Sequence, residues 1–139
     1  PFSGYGSDQD LNYPFPSIVL RAINHKSKKK FIVWGSGYQM RDFIHIKDVI
    51  RGSLLIARKI KNGKAVNLSS GKLLNFISLS KKIFKILGRK NIKVNGNSNK
   101  PEGVYARGGS TFLQRKYGFV PKISIDQGIK WAIQYFEKN

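Results

Sequence analysis

The stretch from residue 31 to residue 48 most constrains this chain, because it predicts a strand, a tight reversal and a second strand in immediate succession. Phe31–Trp34 is a run of β-favouring side chains. Gly35 and Gly37 follow it and supply the backbone freedom that a reversal needs. From Arg41 onward, apolar and polar residues alternate, which predicts a second strand with one buried face.

The predicted reversal places a large ring, Trp34, and a guanidinium, Arg41, at opposite ends of one turn. Such a pair could clamp a nucleotide base and a phosphate. The alternative is a surface hairpin with a core tryptophan and a solvated arginine, and composition alone favours this hairpin. Asp48 stands where the N-cap of a following helix would stand.

The rest of the chain reads as helices with short strands between them. Helical spacing of apolar residues predicts helices over residues 15–23, 49–60, 76–87 and 111–117, and from Ser124 to the C-terminal end. In residues 49–60 the predicted amphipathic helix has Val49, Ile50, Ser53, Leu54, Ala57 and Ile60 or Leu55 on its apolar face. Asn75 and Ser110 are predicted N-caps. Residues 65–68 and 92–94 are predicted strands, and residues 95–99 a loop.

The charge balance is the most unusual property of the composition. Lys and Arg together number 26 and Asp and Glu 7, which gives a net charge of +19 and predicts an anionic partner. A basic nucleic-acid-binding or anion-binding module without catalysis is therefore an alternative function. The lysines are spread through every segment, however, without a base-reading helix or an aromatic-studded sheet, which disfavours nucleic acid. A codon bias toward A and T would also produce this composition.

Several site and segment classes are disfavoured by the composition. The sequence contains no cysteine, so it predicts neither a disulfide nor a thiolate metal site. Its two histidines, His25 and His45, have no acidic cluster beside them, so no metal site is predicted. No stretch approaches the roughly 20 apolar residues of a membrane span. The sequence begins at Pro1 with no leader behind it, so we expect part of a longer cytoplasmic protein.

Residues 34–48 resemble the substrate-binding motif of the extended short-chain dehydrogenase/reductase superfamily, which includes nucleotide-sugar epimerases, dehydratases and GDP-fucose synthases. The motif reads WGSG-x-x-x-R-[DE]-[FY]-[IL]-[HY]-[IV]-x-D, and this chain fits it from Trp34 to Asp48. Further segments resemble the superfamily's YG loop, its N-[LV]-[GS]-[ST]-G strand, its KPDG segment and its C-terminal ending: Tyr5-Gly6, residues 66–71, residues 100–103, and residues 117–121 with 125–129.

The resemblance implies an α/β fold, the C-terminal substrate-binding part of an extended Rossmann-type fold with short strands and about five helices. Residues 1–139 would form this part, and residues 49–88 would pack on a Rossmann sheet that this sequence does not contain. The superfamily's Gly-rich dinucleotide fingerprint and its Tyr-x-x-x-Lys pair are not found in the sequence. The resemblance therefore implies no catalytic residue in this chain.

The resemblance also implies a set of binding residues. Those for a nucleoside-diphosphate sugar are Arg21, Trp34, Gly35, Ser36, Arg41, Glu102 and Arg107. Trp34 would lie on the base, Arg41 would be the principal diphosphate contact with Arg107 beside it, and Glu102 would contact the ribose or base. The residues for NAD or NADP, bound mainly by an N-terminal portion, are Phe2, Ser3, Gly4 and Tyr13. The intact enzyme would be a homodimer, and it would act in the biosynthesis of nucleotide sugars and surface polysaccharides.

Overall fold

The computed structural model describes residues 1–26 and 30–138, which contain five helices and seven short strands. The helices are α1 Pro14–Ile23, α2 Ile46–Lys59, α3 Phe76–Ile86, α4 Phe112–Lys116 and α5 Ile125–Lys138. The strands are β1 Gly4–Tyr5, β2 Phe31–Trp34, β3 Met40–Asp42, β4 Ile44–His45, β5 Leu73–Asn75, β6 Val94–Asn97 and β7 Ala106–Arg107. The predicted α/β class with about five helices is confirmed.

The strands form three small sheets, and the predicted hairpin is not among them. β2 pairs in parallel with β6, β1 pairs in parallel with β4, and β3 lies between antiparallel β5 and parallel β7. The prediction that the two strands around the turn form a hairpin is therefore wrong. The reason is the close approach of the turn to β6: a Cβ added at Gly96 would lie 2.1 Å from the Ser36 carbonyl oxygen.

The strand predicted from Arg41 divides into β3 and β4, which belong to different sheets. The break falls at Phe43, whose ring lies between Tyr5 and Phe76, with centroid distances of 6.1 and 6.3 Å. The helix that follows begins earlier than predicted, at Ile46.

Asp48 is not the N-cap of this helix, so that prediction is wrong. His45 occupies the cap position, and its Nδ1 accepts a hydrogen bond from the Lys47 N–H at 3.2 Å. Asp48 instead lies in the first turn of α2. There its carboxylate accepts the backbone N–H groups of Lys122 and Ile123 at 2.9 and 2.8 Å.

The main core lies between α1, α3, α5 and β2. Its largest fully buried members include Phe15, Val19, Leu79, Ile83 and Ile129. The last helix contributes Ile129, Ala132 and Ile133, which are buried, while Ile125 and Phe136 pack against the cluster.

Helix α3 has both of its predicted ends. The Asn75 side chain accepts the Ser78 N–H at 2.7 Å, which confirms the N-cap. Gly88, at φ 69°, lets the Arg89 N–H reach the Phe84 carbonyl at 2.9 Å. The predicted N-cap of α4 is wrong by one residue, because Thr111 and not Ser110 occupies the cap position. Ser110 lies directly before it. Its hydroxyl still accepts the Phe112 N–H at 3.3 Å.

Helix α2 buries a different face from the predicted one. Val49, Gly52 and Ile56 point inward, whereas Ile50 and Leu54 are 53% and 58% exposed. The reason is Gly52, because a Cβ added there would lie 2.8 Å from Phe119 and 2.9 Å from Leu68. The glycine lets the helix approach the smaller core cluster of Ile44, Val49, Ile56, Leu68 and Phe119.

Two predicted strands differ from those observed. Residues 65–68 are not a strand in the described structure, and the Leu68 carbonyl accepts the Phe2 N–H at 2.9 Å. The strand predicted over residues 92–94 instead spans Val94–Asn97, because three residues of the predicted loop pair with β2. Among residues 1–26 and 30–138, no helix has the length and apolar character that crossing a membrane requires.

Candidate functional site

The turn at residues 35–37 is held from across the chain by Glu102. Gly35 and Gly37 adopt φ of 69° and 78°, in the region that glycine favours. The Ser36 N–H and hydroxyl donate to the two Glu102 carboxylate oxygens at 3.0 and 2.5 Å. These hydrogen bonds lower the pKa of Glu102. The turn is therefore fixed by a residue of segment 100–103, which resembles the superfamily's KPDG segment.

Beside this turn lies a cleft between α1, the turn, β3 and residues 101–102. Its volume is about 410 Å³. It combines cationic, aromatic, amide and carboxylate side chains with apolar ones, and its lining residues are Leu11, Asn12, Pro14, Ser17, Ile18, Arg21, Trp34, Gln39, Arg41, Phe76, Pro101 and Glu102. Four of the predicted binding residues, Arg21, Trp34, Arg41 and Glu102, thus come together in one place.

Trp34 presents its ring to the outside of the molecule. The side chain is 58% exposed, because it lies on the outward face of β2. Lys100 Nζ lies 5.8 Å from the ring centroid. The alternative of a core tryptophan is therefore wrong, and the ring offers an open face to a planar ligand.

Arg41 is anchored on one side. Its Nη1 donates to the carbonyls of Met40 and Val104 at 2.8 and 2.9 Å, and its Cζ lies 5.7 Å from the Phe76 ring centroid. Burial and repulsion from Arg107 lower its pKa, but a guanidinium remains charged at neutral pH. The hydrogen bonds described for Arg41 use Nη1 only. Its Nη2 and Nε can therefore face an anion.

Arg21 reaches the cleft from the last turn of α1. Its Nη2 donates to the Ile32 carbonyl, and its Cζ lies 5.0 Å from the Phe31 ring centroid. Burial lowers its pKa. The two arginines thus give the cleft a positive wall while Glu102 closes the turn.

The other predicted binding residues are placed outside the cleft lining. Arg107 is exposed on β7 and pairs in register with Arg41. Gly35 and Ser36 belong to the turn itself. Tyr13 is exposed at the N-cap of α1, between two residues that line the cleft.

The predicted cofactor residues 2–4 lie along β1 and its entrance. Phe2 packs against Gly109, where an added Cβ would be 2.2 Å from the ring. The Ser3 carbonyl accepts the Ile44 N–H at 3.4 Å, and Gly4 pairs with Ile44. A Cβ added at Gly4 would meet no atom within 4 Å, so this backbone borders open space.

Sequence reasoning missed Gln39 and Phe76 as lining residues. Gln39 is buried, and its Nε2 donates to the Trp34 carbonyl at 2.8 Å. A polar side chain between the turn and Arg41 was the available signal. Phe76 gave none, because its helical spacing fits a core residue equally well.

Two aspartates of the same motif, Asp42 and Asp48, form hydrogen bonds inside the protein and do not face the cleft. Asp42 is 1% exposed, and it accepts hydrogen bonds from the Ser69 hydroxyl and from the Ser70 N–H and hydroxyl, the last two at 2.8 and 2.5 Å. Gln114 completes this buried group by exchanging two 2.9 Å hydrogen bonds with the Ser69 backbone. Asp48 binds backbone N–H groups and pairs with Arg51 at 2.7 Å. Neither lines the cleft.

The sequence of this chain is similar to one family model and to several known proteins. The model of the NAD dependent epimerase/dehydratase family matches residues 1–69. GDP-L-fucose synthase 1 of Arabidopsis thaliana is 24% identical over 146 aligned residues, which cover 100% of this chain and 45% of that protein. The dTDP-D-glucose 4,6-dehydratase of Mus musculus is 22% identical over 151 residues, covering 91% and 42%. The chain spans less than half the length of these relatives.

Solved structures agree on the fold. UDP-glucuronic acid 4-epimerase from Bacillus cereus, in complex with UDP-glucuronic acid and NAD, superposes with a TM-score of 0.82 at 22% identity, over 99% of this chain and 43% of that one. RMD from Pseudomonas aeruginosa, complexed with NADPH, gives 0.80 at 18% identity, over 98% and 46%. The predicted fold class is therefore confirmed over nearly the whole chain.

Proposed function

We propose that this chain, whose residues 1–69 match the model of the NAD dependent epimerase/dehydratase family, is the nucleotide-sugar-binding part of an epimerase, dehydratase or reductase. The observation that carries the proposal is the cleft, where an exposed indole ring and two arginines lie beside a fixed turn. An aromatic face suits a base, and guanidinium groups suit the oxygens of a diphosphate.

In this proposal Arg41 is the principal diphosphate contact. Its Nη1 is committed to two carbonyls, so the side chain is held in place before the ligand arrives, and little rotamer entropy is lost on binding. Arg107 lies beside it on β7 and adds positive charge. Arg21 binds the nucleotide from α1.

Glu102 has two roles in the proposal. It holds Ser36, and with it the turn that carries Trp34. An ionised carboxylate has about four lone-pair directions, so Glu102 can also accept a hydrogen bond from the ribose or the base. Gly35 and Ser36 contribute their backbone to the ligand.

The cofactor of the intact enzyme is NAD or NADP in this proposal, bound mainly by a portion outside this chain. Phe2, Ser3 and Gly4 would lie along it and Tyr13 beside it. The open space beside Gly4 supports this placement, as does the exposure of Tyr13. When bound, the nicotinamide would supply hydride exchange with the sugar, while the residues of this chain bind and orient the substrate.

We further propose that residues 49–88 pack in part on a Rossmann sheet. The exposed side chains Ile46, Ile50 and Leu54 on the outer face of α2 support a covering partner there. The apolar face of α3 is already buried within this chain, so α2 would supply most of the contact. The intact enzyme would be a cytoplasmic homodimer that serves polysaccharide biosynthesis.

The test is calorimetric titration of the natural full-length protein with UDP-, dTDP- and GDP-sugars and with duplex DNA, at 50 and 200 mM salt. We expect saturable binding of one nucleotide sugar with a modest salt effect. Tight DNA binding that falls by orders of magnitude over this range, without nucleotide-sugar binding, would overturn the proposal in favour of a nucleic-acid-binding module.

A further inference from the structure

One buried acceptor at the cleft is left without a partner. Gln39 is 1% exposed, and its Nε2 donates to the Trp34 carbonyl at 2.8 Å. This bond fixes the orientation of the amide, because the oxygen could not donate to a carbonyl. Gln39 Oε1 has no hydrogen-bond partner among the described residues. Buried acceptors are almost always paired, since an unpaired one is costly.

The position of this acceptor is next to the predicted base contact. Gln39 lines the cleft together with Trp34 and Glu102. A Cβ added at Gly35 would lie 2.7 Å from Gln39 Nε2 and 2.8 Å from Glu102 Cβ, so the amide lies directly under the peptide that joins Trp34 to the turn. A planar ligand on the Trp34 ring would therefore occupy the same cleft that Gln39 borders.

Resting on the proposed function, we propose that Gln39 Oε1 accepts a hydrogen bond from the ring N–H of the nucleotide base. Gln39 would then be a specificity-determining residue. Uracil, thymine and guanine carry an N–H on the Watson–Crick edge of the ring, whereas cytosine and adenine carry a lone pair there. An acceptor facing that lone pair would be both unpaired and repelled.

The experiment compares nucleoside diphosphates that differ by this one donor. The full-length protein is titrated calorimetrically with UDP, dTDP and GDP, with N3-methyl-UDP and N1-methyl-GDP, and with CDP and ADP. For the base that binds, we expect ring-N methylation to weaken affinity about tenfold, as for an unpaired buried acceptor. CDP and ADP should bind more weakly than the diphosphate of the preferred base.

Two variants separate the acceptor from the Trp34 contact. Gln39→Met removes both, whereas Gln39→Glu keeps an acceptor and loses the donor to the Trp34 carbonyl. We expect methylation to change affinity by less than about twofold in Gln39→Met and to keep most of its effect in Gln39→Glu, as in a double-mutant cycle. Thermal melts verify that both variants fold.

Three results would overturn the inference. The first is an equal effect of methylation in wild type and Gln39→Met, which would mean a steric effect or a water on Oε1. The second, which needs no variant, is wild-type binding of CDP or ADP as tight as that of the preferred nucleotide. The third is no nucleoside diphosphate binding at all, which would overturn the proposed function as well.

Discussion

Arg41 and Asp42 are neighbours on β3, but they belong to two regions of opposite character. Arg41 lies at the cleft and keeps donors for a ligand. Asp42 lies in the buried group formed with Ser69, Ser70 and Gln114, which we call the Asp42 cluster. Successive residues of a strand point to opposite sides, so one short motif supplies both the proposed binding site and the interior. A residue's presence in the motif therefore does not say which of these roles it has, whereas its burial does.

Asp42→Ala should produce the largest effect and should act on stability. Removing the carboxylate leaves the buried Ser70 N–H without its acceptor and deprives both serine hydroxyls of a charged one, which costs about 3 kcal/mol. The hydroxyls keep only the carbonyls of Gly109 and Lys72, at 2.9 and 3.3 Å. Chemical denaturation measures the loss. The control is Asp126→Ala, which breaks the exposed ion pair with Lys82 and should cost less than about 1 kcal/mol. Unchanged stability with weaker nucleotide binding would move Asp42 into the binding region.

Gly96→Ala should affect both regions, through the turn. Its Cβ would lie 2.1 Å from the Ser36 carbonyl, so the turn must move, at a cost of about 2 kcal/mol. We expect weaker nucleotide binding together with a lower denaturation midpoint. Gly4→Ala is the matched control for stability, since its Cβ would meet nothing within 4 Å. Equal denaturation midpoints for Gly96→Ala and Gly4→Ala would mean that the turn and β6 do not approach each other this closely in solution.

Arg41→Lys should affect binding more than stability. Lysine cannot span two phosphate oxygens as a guanidinium does, so we expect about a tenfold loss in nucleotide-sugar affinity, or about 1.4 kcal/mol. Calorimetry measures the affinity and a thermal melt verifies the fold. Arg115→Lys, at an exposed position of α4 outside the cleft lining, should change neither. An unchanged affinity in Arg41→Lys would remove this arginine from the site.

Trp34 provides an optical test that the ligand reaches this cleft. In a Trp131→Phe background, Trp34 is the only tryptophan, and a stacked base should quench its fluorescence in proportion to occupancy. Because the ring is already exposed, the emission should report contact more than burial. Full emission at saturating nucleotide would mean that the base lies elsewhere.

Glu102→Gln should give the smallest effect, a change in how the stability of the fold depends on pH. Hydrogen bonds from Ser36 lower its pKa in the folded state below the ordinary value of 4.5. The unfolded state then binds the proton more readily, so the contribution to stability is complete above pH 4.5 and is lost as pH falls through the lowered folded-state pKa. Comparing acid denaturation of wild type and Glu102→Gln isolates this part. Identical acid profiles would mean that the Ser36 contact is not formed in solution.

Local pattern was enough for most helices and for the prediction that Trp34 and Arg41 lie close together, since both line the cleft. The helix caps at Asn75 and Gly88 follow from short-range chemistry, and the glycine turn alone places Trp34 near Arg41. Pairing partners were not predictable in this way. β2 pairs with residues more than sixty positions away, and nothing in the Gly-Ser-Gly turn indicates that Glu102 would hold it.

Burial was the second property that pattern did not supply. The inward face of α2 is centred on Gly52, which an apolar-residue count cannot recognise. Gln39 is polar and yet among the most buried side chains, because its amide is bonded to the backbone of the turn. Such positions are decided by tertiary packing, which overrides local preference.

The cleft has a consequence for synthesis of the chain on the ribosome. Arg21, Trp34 and Arg41 emerge first, but the residues that hold them come later: Glu102 is 66 residues beyond Ser36, and the Val104 carbonyl is 63 residues beyond Arg41. At roughly 5 to 20 residues per second, translation needs about 3 to 13 s to cover that distance. During this interval the turn lacks the hydrogen bonds to Glu102, and Arg41 lacks the hydrogen bond to the Val104 carbonyl. Under the proposed function, a nucleotide can therefore stabilise the complete cleft only in nascent chains that have passed residue 104.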